Sequence, residues 1–164
     1  MVMGEGGGRH LLSATVVAVL LLLVFSGCEA PKNYVSPVPT AGSGTLAVTL
    51  SPEGTNTSGS GTAHLRLNPD QQEICYVIRV SGIELPATAA HIHRGAARVI
   101  GPVEVTLTAP NAQGGAVGCA HASRDLIVAI MQHPADYYVN LHNAHYPEGA
   151  VRGQLSACGP QSGC

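Results

Sequence analysis

Between residues 46 and 155, apolar side chains recur at every second position in one short run after another. Leu46, Val48 and Leu50 alternate with Ala47, Thr49 and Ser51, and Ala63, Leu65 and Leu67 alternate with His64, Arg66 and Asn68. Ile74, Tyr76, Ile78 and Val80 alternate with Cys75, Val77 and Arg79, and Val103, Val105 and Leu107 with Glu104, Thr106 and Thr108. Tyr137, Val139 and Leu141 repeat the pattern. A two-residue period sends successive side chains to opposite faces, so each run reads as a strand with one face buried. Thr88 to Arg94, Gly115 to His121 and Val151 to Leu155 are further strand candidates, and Gly/Ser/Asn/Pro clusters separate the runs. One segment, Ser123 to Gln132, has helical spacing, with Ser123 as cap and Pro134 just beyond its end. The expected fold is all-β, a sandwich with Greek-key connections and one short helix.

The first 44 residues follow a different logic. Leu11 to Phe25 is an apolar run of signal-peptide length, preceded by Arg9 and His10. It ends at Val24-Phe25-Ser26-Gly27-Cys28, which resembles the lipobox of bacterial lipoproteins. Residues 1–27 would then be a cleaved lipoprotein signal peptide and Cys28 the lipidated residue. The other reading is an uncleaved helical anchor. Residues 28–44, with Pro31, Pro37, Pro39 and Gly42, read as an extended tether. The domain is expected over 45–155, with a small tail containing cysteine over 156–164. The implied location is exported and lipid-anchored in the bacterial cell envelope, in the outer membrane or facing the periplasm. Glu29 after the cysteine resembles outer-membrane sorting.

Composition narrows the function. Charged residues are 11% of the chain, the net charge is −2 and no Lys/Arg cluster occurs, so the footprint of a nucleic-acid partner is absent. No Gly-x-Ser-x-Gly, phosphate-binding loop or His-Glu-x-x-His is present. His121, Ser123 and Asp125 form a tempting trio, but the start of a helix explains Ser123 and Asp125 as cap and first-turn acid. No catalytic residue is assigned and no enzyme activity is expected.

Two segments carry a resemblance. The first is Ala89-Ala90-His91-Ile92-His93-Arg94-Gly95 with Gly101-Pro102-Val103. The second is Tyr137-Tyr138-Val139-Asn140-Leu141-His142, then Tyr146-Pro147-Glu148-Gly149 and Arg152-Gly153-Gln154-Leu155. With Ile74-Cys75-Tyr76 upstream and Gly118-Cys119 between them, they resemble the CHRD (chordin-type) domain family. The resemblance implies a β-sandwich in a secreted or surface setting and no defined molecular function; the anchor, the tether, the sandwich and the lack of a catalytic motif point to a binding or interaction module for an envelope protein or another surface ligand. The His-x-His strand is also similar to the copper-binding strand of copper–zinc superoxide dismutases, although the rest of that signature is missing. An immunoglobulin-like or superoxide-dismutase-like sandwich fits both.

If Cys28 carries lipid, four cysteines remain and allow three pairings. An exported domain keeps disulfides. Cys75 with Cys119 is the favoured pair, since both fall in strands of the domain, and Cys158 with Cys164 would close a small terminal loop. His91 and His93 share one face of a strand, and Asn140 and His142 share one face of a later strand. If those strands are neighbours, three imidazoles converge, a donor set that suits zinc or copper. Asn140, His145 and Arg152 would form the rim. The blander alternative is that these groups bond to one another and to loop carbonyls, fixing the loop from Asn143 to Gly149. Arg152 likewise either binds an anionic group or pairs with a local carboxylate and loop carbonyls.

Overall fold

A computed structural model describes residues 43–158. The expected signal segment, Cys28, most of the tether and Cys164 lie outside the described residues. Among the described residues, no helix is long and apolar enough to cross a membrane.

The alternating runs form two antiparallel sheets packed face to face. β1 (Gly44–Leu50), β2 (Ser60–Asn68) and β3 (Glu73–Ser81) make a meander, and β6 (Gly115–His121) joins it beside β3. β4 (Ala89–Arg94), β5 (Val103–Leu107), β7 (Tyr137–His142) and β8 (Val151–Gln154) make the second sheet, in the order β5-β4-β7-β8. β6 therefore neighbours β3 and β7 neighbours β4, although neither pair is consecutive in the chain. These crossings between sheets interlock the two layers. A two-residue strand, β9 (Ser156–Ala157), crosses back to pair with β1. The chain past Leu155, expected as a tail, thus begins as sheet.

Register follows the alternation. Leu46 lies opposite Leu65 and Leu65 opposite Tyr76, so each inward row is apolar across the first sheet. Ile92 opposite Val139, and Ala90 opposite Leu141, supply the facing layer. These side chains are almost wholly buried; burying each of the large ones contributes about 1.5–3 kcal/mol. α1 (Arg124–Gln132) closes one end, burying Ile127 and Ile130. The Ser123 side chain accepts a 3.3 Å bond from the Leu126 backbone N–H, satisfying one of the open donors of the first turn. A 3-10 turn, Pro134–Asp136, then delivers the chain into β7.

Cys75 and Cys119 are directly opposite each other on β3 and β6 and form a disulfide on the outer face of the five-stranded sheet. Cys158 is also disulfide-bonded.

Candidate functional site

The pairing of β4 with β7 brings the two remote polar rows together. His91 lies opposite Asn140, His93 opposite Tyr138, and Ala89 opposite His142. Inward positions on both strands are taken by Ala90, Ile92, Val139 and Leu141. His91, His93, Tyr138, Asn140 and His142 therefore occupy the outer face, where β8 adds Arg152 opposite Asn140.

The three imidazoles gather at one point. Ring centroids of His91 lie 5.5 Å from His93 and 5.0 Å from His142, and those of His93 and His142 are 6.1 Å apart. One nitrogen from each ring falls within 4.8 Å of the others. His91 Nδ1 and His142 Nε2 are 3.1 Å apart. Backbone carbonyls orient two of the rings. His93 Nδ1 is 2.9 Å from the Gly101 carbonyl oxygen, and His142 Nδ1 is 2.8 Å from that of Pro147. A carbonyl only accepts, so each neutral ring carries its proton on Nδ1 and turns the lone pair of Nε2 toward the cluster. His93 is 8% exposed, and its Nε2 is buried with no hydrogen-bond partner. Burial holds His91 below its ordinary pKa, with the charges of His142 and His93 adding to the effect. Burial also lowers His142, against an opposing pull from the Pro147 carbonyl. Nε2 lone pairs aimed at one point, with carbonyls behind two of the three rings, are what a transition-metal site requires.

The remaining outer-face residues clamp two loops over the sheet. Tyr138, 1% exposed, stacks on His93 with centroids 4.8 Å apart and carries the Arg152 guanidinium 3.6 Å above its other face. Alternation alone would leave one of the two adjacent tyrosines on the surface. Instead Tyr137 enters the core and the loop over residues 95–102 covers Tyr138, whose hydroxyl accepts from Gly101 N–H at 3.1 Å. Arg152 donates to the Val99 carbonyl at 3.3 Å, and its Nε lies 2.7 Å from Glu53 Oε2. The latter contact is off the N–H axis, so it acts as an ion pair more than a directed hydrogen bond. Gln154 adds bonds to the Gly95 and Ala135 carbonyls. Asn140 donates to the Glu148 carbonyl at 3.0 Å, holding the second loop. A Cβ at Gly149 (φ +132°) would lie 2.3 Å from Asn140 Oδ1, and one at Gly101 would lie 1.6 Å from the Arg94 carbonyl oxygen. The loops reach the sheet only because these positions lack side chains.

Sequence position placed His145 on the rim, but its Nδ1 is 2.5 Å from Glu84 Oε2 and its side chain is 75% exposed. His145 pairs with the β3–β4 connection and is not among the gathered imidazoles. Glu53 and Gln154 were not read as site residues from sequence: Gln154 shares a face with Arg152 by period-two spacing on β8, whereas Glu53 meets Arg152 through tertiary placement, which spacing does not encode. A cavity of 610 Å³ opens beside the face, lined in part by Glu53, Arg98, Ile100, Asn140, Glu148 and Arg152. Glu73, Cys75 and Cys119 form a second group of potential ligands, but both sulfurs belong to the disulfide.

A family model described as the CHRD domain matches residues 46–155. No curated protein and no solved structure matches the chain.

Proposed function

The chain belongs to the CHRD domain family, and from that premise we propose that it is a non-enzymatic binding module, held at the cell envelope by a lipid on Cys28, whose binding face is the outer surface of the four-stranded sheet. The ligand this face fits best is a copper or zinc ion held by His91, His93 and His142. The observation that supports it is the buried, unpartnered Nε2 of His93 beside the His91–His142 pair. An isolated buried acceptor is costly to maintain, and a metal ion satisfies it. Calorimetric titration of the domain with copper(II) or zinc should show one site per chain. His91→Gln should weaken it by more than the roughly 10–100-fold that changes outside the ligand shell cause. Equal affinity in the variant would end this reading.

A second reading, contact with another envelope component, is favoured by the loop over residues 95–102. Arg152, Tyr138 and Gln154 bond to that loop, yet it leaves Ile100 84% and Val99 51% exposed. Two adjacent large apolar groups held outward in this way offer a partner a small apolar surface. A soluble form of the domain should bind isolated envelopes saturably, and Ile100→Asp should abolish that binding. Unsaturable binding, or none, argues against it.

A further inference from the structure

We infer that a metal held by the three histidines keeps one coordination position open to solvent and takes there an anionic donor from outside the chain. This inference rests on the metal-binding reading above and adds to it the class of the exchangeable ligand.

The argument starts with depth. His93 forms the floor of the cluster, almost fully buried, while His91 and His142 are half-buried at its rim. An ion reached by His93 Nε2 from below and by the other two rings from the side has its remaining position toward solvent. The spacing of the two rim nitrogens fits such an ion, with the third donor within 4.8 Å of them. Two nitrogens bound at ~2.0–2.1 Å with tetrahedral angles stand about 3.3 Å apart, and His91 Nδ1 and His142 Nε2 are at 3.1 Å. In the metal-free network His142 Nε2, whose own ring proton faces Pro147, accepts the Nδ1 proton of His91. A metal takes the place of that bridging proton, which moves to Nε2 of the same His91 ring; no proton is lost overall.

The second step concerns charge and donor count. Among the described residues, the group contains three imidazoles and no carboxylate or thiolate. Three neutral ligands leave the charge of a dication uncompensated, so an anion is favoured as the fourth donor. Three protein ligands with one open position is also the arrangement of zinc sites that exchange ligands, whereas purely structural sites are closed by four. Glu148 is the nearby acid whose charge reaches His142. Its carboxylate is not among the gathered donors, and its backbone carbonyl is bound to Asn140.

The test loads the domain with one equivalent of copper(II) and titrates azide, following the electron paramagnetic resonance spectrum and the azide-to-copper absorption band, with Glu148→Gln in parallel. The expected result is a saturable spectral change, of equal midpoint in both proteins. Copper that binds through the histidines but ignores azide in both proteins overturns the inference while leaving the metal-binding reading intact. An azide response confined to Glu148→Gln also overturns it, because Glu148 then fills the position. Failure to bind copper at all, in protein with an unchanged melting transition, removes the underlying reading instead.

Discussion

Arg152 shows how much one side chain on the outer face controls. Its plane lies on Tyr138, its terminal nitrogens reach the Ala96 and Val99 carbonyls, and its Nε faces Glu53. A lysine keeps the charge but has neither the flat surface nor the forked donors. Arg152→Lys should therefore lower stability by about 1–3 kcal/mol in urea unfolding, the loss of its charged hydrogen bonds and of its contact with the Tyr138 ring; an unchanged midpoint would contradict this role. His91 and His142 make a pH prediction for the metal-free protein. Both have folded-state pKa values below the ordinary 6.5, so between those values and about 6.5 the unfolded chain binds more protons than the folded one. Stability should then rise with pH through that window, and the low-pH penalty should be complete below the depressed values. Urea unfolding from pH 5 to 7.5 should show a shallower rise in His91→Gln than in wild type; parallel curves would show that His91 carries none of it. At this scale the sequence marks His91, His93, Asn140 and His142 as outward-facing, as the register has them, because period-two alternation needs only the core partners Ile92 and Leu141. It puts His145 on the rim and one of Tyr137 and Tyr138 on the surface, because both depend on where a loop folds back.

The strands were legible where side chains alternate without interruption, as in β2 and β3. The helix was legible from its cap and following proline. β9 was not, since Ser156-Ala157 carries no apolar period and becomes strand only by lying against β1. The bulge between β4 and β5 beside His93 was also hidden: Ile92 faces Val105 and His93 faces Val103, so Glu104 is the extra residue. Bulges of this kind re-aim side chains near functional sites. The pairing of β3 with β6 places the disulfide across a sequence separation of 44 residues. Closing such a loop restricts the unfolded chain by about 4 kcal/mol in the entropy model. The double variant Cys75→Ser, Cys119→Ser should lose stability of that order in thermal or urea unfolding, and a loss below about 1 kcal/mol would show that the sheet needs no cross-link there.

On the scale of the whole molecule, the two-sheet sandwich follows from the pattern, and the CHRD match covers residues 46–155. The order of strands does not follow, because spacing cannot say that β4 and β7 are neighbours, and the candidate site exists only through that neighbourhood. The anchoring proposal makes its own prediction. Cys28→Ala should move the protein from the membrane fraction to the soluble fraction and abolish palmitate labelling. Retention in the membrane would favour an uncleaved apolar anchor over a lipid. The most direct test of the account is the protonation state of the three imidazoles, read by long-range proton–nitrogen correlation in the 15N-labelled domain near neutral pH. The predicted spectrum shows His93 and His142 protonated on Nδ1 with bare Nε2, and one equivalent of zinc shifts both Nε2 signals together with His91 Nδ1. Protons on Nε2 of His93 and His142, or a zinc response at other residues, would contradict a shared site on this face.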